Sequence, residues 1–211
     1  MLHYEEVEAP EPASKHLMIV LHGLGDSIEG YRWLPSMLKL PWLSYALVNA
    51  PDDYFGGFSW YDLQGNAHPG VVRSRDRLFE LVDHFRTKGY EFKNIFFLGF
   101  SQGCLMTWEV GMRYPHPLAG CVGISGYIHQ PETLLSEAST EGKDRHFLIT
   151  HGQHDPLIPL APVKIEVEKM QQSGIDAEWR EFAKEHTIAG EEELNVIRQF
   201  VVKHRQIDDN V

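Results

Sequence analysis

A chain of 211 residues, 43% hydrophobic, 23% charged and 11% aromatic, is long enough for one sizeable core; this excludes a disordered or fibrous protein and gives no reason for a second domain. The 19 Lys and Arg against 30 Asp and Glu leave a formal charge of −11, which repels a phosphate backbone and anionic lipid, so nucleic acid is excluded as a partner class. Cys104 and Cys121 fall in apolar runs without framework spacing and read as small buried hydrophobes in a reducing compartment.

Residues 1–15 carry acids where a signal peptide needs a basic start and an apolar run, and include Pro10 and Pro12. They are expected to be a loosely held segment ahead of one domain over residues 16–211, and the protein is expected to be cytoplasmic. With no run of about eighteen apolar residues anywhere, stable membrane insertion is not expected.

Residues 16–22 (HLMIVLH) form a short apolar run followed by Gly-rich GLGD, which is how a buried parallel strand ending in a loop reads. Further strand-like runs are SYALVNA, ending before Pro51, NIFFLGF from Asn94, LAGCVGIS from Leu118 and HFLITHG from His146. Between the second and third, Leu78, Leu81, Val82 and Phe85 fall at helical spacing, with Lys88-Gly89 as a stop. A last helix carries Leu194, Ile197, Phe200 and Val201 behind an acidic EEE that suits its N-terminus. Strands alternating with helices predict an α/β domain: a mostly parallel sheet with helices on both faces and the site outside the strands' carboxyl ends.

The chemistry is signalled by Gly99-Phe100-Ser101-Gln102-Gly103, a G-x-S-x-G between a β-rich run and CLMTWEVGM, which can continue as a helix. A serine on a sharp strand-to-helix turn is exposed as a nucleophile, and flanking glycines remove side chains that would collide there. A serine hydroxyl needs an imidazole to take its proton and a carboxylate to fix the imidazole's tautomer. In this arrangement the chain order is Ser, acid, His. Only His186 and His204 follow Asp155; His204 lies on the apolar stripe of the last helix, so His186 is the candidate base. Asp155, in the loop HGQHDPLIP, is preferred over Asp176, which is expected to begin a strand at the wrong end of the sheet. The backbone N–H of Gln102, at a helix N-terminus, and of Leu24, in the early Gly-rich loop, are the candidate oxyanion donors.

With LHGLGD, NAP, WYDL, GFSQG, SGYI, HGQHDPLIP and EHTI in this order, the chain resembles the acyl-protein thioesterase and bacterial carboxylesterase family of phospholipase/carboxylesterase-like hydrolases, over about residues 16–205. The resemblance implies the α/β-hydrolase fold, Ser101, Asp155 and His186 as triad, Leu24 and Gln102 as oxyanion hole, and no metal or organic cofactor. Three departures stand out: the short DDYFGGFS between NAP and WYDL, Cys104 after GFSQG, and no glycine before His186.

The expected substrate is a small carboxylic ester or thioester, with short to medium acyl chains favoured by that short segment. Tyr54, Phe55 and Phe58 are candidate pocket residues, whereas Trp60 and Tyr61 are expected in the core. A thioesterase acting on longer chains, a non-catalytic interaction protein keeping the fold and a peptidase remain alternatives, as do monomer and homodimer. His151, His154 and Asp155 lack the partners at suitable spacing that a metal centre needs.

Overall fold

The apolar runs become the middle of a sheet because their residues are buried on both sides, and the computed structural model of the chain, which describes residues 1–206, shows this directly. The strands are β1 (Tyr4–Val7), β2 (His16–Leu21), β3 (Leu43–Val48), β4 (Asp52–Tyr54), β5 (Gly57–Ser59), β6 (Ile95–Phe100), β7 (Gly120–Ile124), β8 (His146–Gly152) and β9 (Asp176–Phe182). Seven of them form one sheet in the order β1-β3-β2-β6-β7-β8-β9, while β4 and β5 make a separate hairpin. All pairings in the large sheet are parallel except β1 with β3.

The helices are α1 (Leu34–Leu38), α2 (Ala67–Thr87), α3 (Gln102–Arg113), α4 (Pro131–Ser136), α5 (Thr140–Lys143), α6 (Leu160–Gln172) and α7 (Glu191–Lys203), with a 3-10 turn at Ile28–Tyr31. Alternation along β2 sends Leu17, Ile19 and Leu21 into one core with residues of α2, α3 and α6. Met18 and Val20 go into the other, with Leu34, Leu38, Leu194, Ile197 and Val201 of α1 and α7. The sheet thus has helices on both faces, the single-domain α/β-hydrolase architecture. The long helix α2 starts eleven residues ahead of Leu78 because Asn66 caps it, its side chain accepting from the N–H of His68 at 3.2 Å.

The expectation of a loose segment over residues 1–15 is corrected at its start. Tyr4 to Val7 pair antiparallel with Val48 to Tyr45, and Leu2 is buried. Four residues are too short to announce a strand, and what orders them is distant: Glu5 pairs with Arg32 at 2.6 Å, and Glu6 with Lys88. Residues 207–211, included in the expected domain, lie outside the described residues.

Candidate active site

Strands β2 and β6 are neighbours at the centre of the sheet, so the loops at their carboxyl ends, carrying Leu24 and Ser101, meet there. Ser101 links β6 to α3 with φ 54° and ψ −113°, a left-handed geometry that side-chain-bearing residues rarely adopt, and its N–H bonds the carbonyl of Ile124 at 2.9 Å. The motif's glycines make the turn possible by close approach: a Cβ on Gly99 would lie 2.1 Å from the Gly103 carbonyl oxygen, and one on Gly103 2.2 Å from that of Leu21.

Three distant side chains converge on this turn. The Ser101 hydroxyl lies 3.0 Å from His186 Nε2, and His186 Nδ1 lies 2.7 Å from Asp155 Oδ2. An ionised carboxylate only accepts, so Nδ1 carries the imidazole proton and Nε2 is left to accept from the serine. The other oxygen of Asp155 accepts from the N–H groups of Leu157 and Ile158, both at 2.9 Å. Burial would push this carboxyl up, but the bonds from Ile158, His186 and Leu157 outweigh it and hold it below its ordinary value. Its side chain is fully buried, whereas that of His186 keeps 14% exposure, enough to meet a substrate.

Leu24 and Gln102 line the same cavity of about 530 Å³ as Ser101 and His186. Gln102 opens α3, where the first N–H groups have no partner within the helix. The Leu24 loop is tied on several sides. Trp60 Nε1 donates to the His22 carbonyl at 2.9 Å, the Gly25 N–H donates to the Phe58 carbonyl and the Phe58 N–H to the Asp26 carbonyl, each at 2.9 Å, and His22 Nε2 accepts from the Ala50 N–H at 3.0 Å. His22 Nδ1 therefore carries the proton and donates to the Gly23 carbonyl at 2.6 Å. Burial lowers the pKa of this histidine, which favours the neutral form that both bonds require.

Several contributors were not expected from the sequence. The buried side chain of Gln102 accepts from the Trp60 N–H at 3.0 Å and donates to the Tyr61 carbonyl at 2.9 Å, fixing the segment that walls the cavity. Lys184 and Glu193, both buried, pair at 2.6 Å, and Glu193 also accepts from the Ala189 N–H at 2.6 Å, so the His186 loop is pinned to α7 at two points. Tyr61, Leu63, Tyr127, Leu157 and Ile158 supply the cavity wall; Tyr61 and Tyr127 join through their hydroxyls at 3.1 Å. Proximity to Asp155 was the one signal available for Leu157 and Ile158.

Tyr54, Phe55 and Phe58 do not line this cavity, a correction to the expected pocket. The β4–β5 hairpin turns at Phe55, leaving that residue 95% exposed, and Tyr54 and Phe55 line an adjoining depression that shares Tyr61 and Leu63 with the cavity. Phe58 packs near His22, their ring centroids 6.3 Å apart. Trp60 is in the core, and Tyr61 is both buried and a cavity wall. Asp176 begins β9, and its carboxylate accepts from His146 at 2.6 Å at the end of the sheet opposite Ser101. His204 stacks on His146 with centroids 4.2 Å apart. His151 donates to the Ile158 carbonyl at 2.9 Å, and among the described residues no group of three or more His, Cys, Asp or Glu is placed to hold a metal ion. Cys104 and Cys121 are buried and form no disulfide, burial pushing both thiols up to about 12.

A central parallel sheet, a serine on a strand-to-helix turn and an imidazole held between that serine and a buried carboxylate define a serine hydrolase of the α/β-hydrolase fold. The chain belongs to the phospholipase/carboxylesterase family, whose model matches residues 2–205, and is thereby an enzyme of the ester-hydrolase class. It is similar to acyl-protein thioesterase 1 of Schizosaccharomyces pombe, 31% identical over 163 residues that cover 71% of this chain and 73% of that protein. Among solved structures, esterase PE8 is 28% identical with a TM-score of 0.82, covering 96% of this chain and 98% of its own. SOBER1 of Arabidopsis thaliana shares the fold, with a TM-score of 0.82 at 22% identity, over 90% of this chain and 98% of that one.

Proposed function

We propose that the protein hydrolyses small carboxylic esters or thioesters with Ser101 as nucleophile, His186 as general base and acid, and Asp155 as the group that orients and stabilises the imidazole. The observation that carries this reading is the continuous relay from Ser101 Oγ through His186 to Asp155, at 3.0 and 2.7 Å. Attack by Ser101 Oγ on the carbonyl carbon passes the hydroxyl proton to His186 Nε2. Collapse of the tetrahedral adduct breaks the bond to the leaving oxygen or sulfur, which takes that proton. Water then attacks the acyl carbon, again losing a proton to Nε2; collapse of this second adduct breaks the bond to Ser101 Oγ, which takes that proton back, and the carboxylic acid departs. The oxyanion formed in each half accepts from the N–H groups of Leu24 and Gln102, and loss of one such donor typically costs ~10²–10³ in rate.

The acyl chain occupies the cavity walled by Tyr61, Leu63, Tyr127 and Ile158. Leu63 and Leu157 at its edge are 55% and 70% exposed, so a chain that outgrows the cavity runs into water, and short to medium chains are preferred. A p-nitrophenyl ester series with fluorophosphonate labelling tests both parts. Labelling of wild type and not of Ser101→Ala, with turnover highest between butyryl and octanoyl esters, is the expected result. Full activity in Ser101→Ala would sink the mechanism. A clear preference for palmitoyl esters would sink the chain-length reading and favour the alternative of a thioesterase acting on longer chains; the similarity to acyl-protein thioesterase 1 bears on thioester cleavage alone.

A further inference from the structure

A second cavity, of about 340 Å³, opens on the other side of the catalytic imidazole. It shares Asp26, Phe100 and His186 with the larger one, and it contains Thr187 and Ile188 but not Ser101, Leu24 or Gln102. This division matches the two halves of an ester. In the tetrahedral adduct the oxyanion must face the donors of Leu24 and Gln102, while the leaving atom must face the proton on His186 Nε2. The larger cavity holds nucleophile and oxyanion donors and is the acyl side. The smaller one holds the proton donor without them.

Resting on the ester-hydrolase reading above, we infer that this smaller cavity is the leaving-group subsite and that it takes a bulky apolar or aromatic alcohol or thiol without negative charge. Its floor is an apolar platform: Trp33 and Met37, four residues apart at α1, stand 38% and 36% exposed, with Tyr31, Ile188 and Leu194 around them. The indole and the backbone beneath the platform are held before anything binds. The Trp33 indole donates to the Gly30 carbonyl at 2.6 Å, and Arg198 of α7 donates to the carbonyls of Leu38 at 2.8 Å and Met37 at 3.1 Å, so little ordering is left for binding to supply. Apart from His186, the one Asp, Glu, Lys or Arg in its lining is Asp26, on a chain of formal charge −11. A phosphate- or sulfonate-bearing leaving group is repelled on both counts. An apolar ring instead covers exposed apolar surface.

The test compares phenyl, 2-naphthyl and 6-sulfo-2-naphthyl butyrates, whose phenol and naphthol leaving groups have similar acidity. Fluorophosphonate labelling and phenyl butyrate turnover come first; if both are absent, the hydrolase reading itself fails. With them present, 2-naphthyl should exceed phenyl butyrate in kcat/KM by roughly tenfold from the added buried ring. Trp33→Ala and Met37→Ala should each bring that ratio toward one, chiefly through KM, while Leu157→Ala should alter the acyl-chain profile and keep the ratio. Asp26→Asn should narrow the gap between the neutral and sulfonated naphthyl esters. Equal kcat/KM for phenyl and naphthyl esters in wild type would overturn the subsite, as would a ratio unmoved by both platform variants. A sulfonated ester turned over as fast as the neutral one would overturn the exclusion of anions.

Discussion

At Ser101 a backbone conformation that costs on the order of 1–3 kcal/mol is held because the surrounding contacts over-determine it: the Ile124 carbonyl takes its N–H, and glycines at 99 and 103 allow β6, α3 and β2 to close around it. In the proposed mechanism Asp155 holds a tautomer, so Asp155→Asn keeps the geometry but allows the amide to donate to Nδ1 and leave the proton on Nε2. We expect kcat to fall by roughly 10³–10⁴ with KM little changed, read by steady-state kinetics. A loss below tenfold would remove Asp155 from that role. Gln102 shows the limit of what a motif discloses. Its backbone N–H could be read from its place after Ser101, but its side-chain partners, the Trp60 N–H and Tyr61 carbonyl, are about forty residues away and appear only once the chain is folded. Gln102→Ala leaves both without their side-chain partner and should lower stability by about 1–3 kcal/mol in urea unfolding.

The elements that sequence patterns disclosed are those with an unbroken buried run or a helical period of burial. Strands β2, β3 and β6 read as continuous apolar runs because they are covered on both faces, and α7 read from Leu194, Ile197, Phe200 and Val201. Strand β1, the β4–β5 hairpin and helices α4 and α5 are three to six residues long, too short for a period to register. The hairpin matters for the site, since Phe58 in it bonds the Gly25–Asp26 loop while its turn leaves Phe55 exposed to solvent. The EEE at the start of α7 was legible as a helix N-terminus, yet Glu193 alone turns inward to Lys184. That choice depends on where the His186 loop crosses the helix. Lys184→Met strands the Glu193 carboxylate in a buried site and should cost about 3–5 kcal/mol, whereas Lys184→Met/Glu193→Leu should recover much of the loss. Chemical denaturation of wild type, Lys184→Met, Glu193→Leu and the double variant checks this. A double variant as unstable as the sum of both single ones would argue that the pair acts independently of its charges.

Across the whole molecule, the order of strands and helices was enough to place the site at the carboxyl ends of a parallel sheet. The meeting of β2 with β6 depends on crossover connections that no local pattern encodes. The same burial that builds this sheet also excludes protons. His22 and His151 are almost fully buried, and burial lowers both pKa values. His204 is lowered to about 4 by burial and by the neighbouring His146 and Lys203. The ordinary value is about 6.5, so as pH falls below it the unfolded chain binds protons that the folded chain refuses. The stability gained by keeping these rings neutral is complete above about pH 6.5 and declines as pH falls toward the folded values, with a slope of up to ~1.4 kcal/mol per pH unit for each fully titrating buried histidine. His204, more exposed, contributes less because solvent screens it. Glu109 and Glu166, whose carboxyls burial pushes up, act in the opposite sense, so the histidine share must be isolated by substitution. In His151→Gln the side-chain amide can still donate to the Ile158 carbonyl but cannot titrate. Thermal unfolding between pH 7.5 and 5.5 should show Tm falling in wild type and falling less steeply in His151→Gln. Parallel slopes would mean that His151 takes up no fewer protons folded than unfolded, and would remove it from the acid sensitivity of the fold.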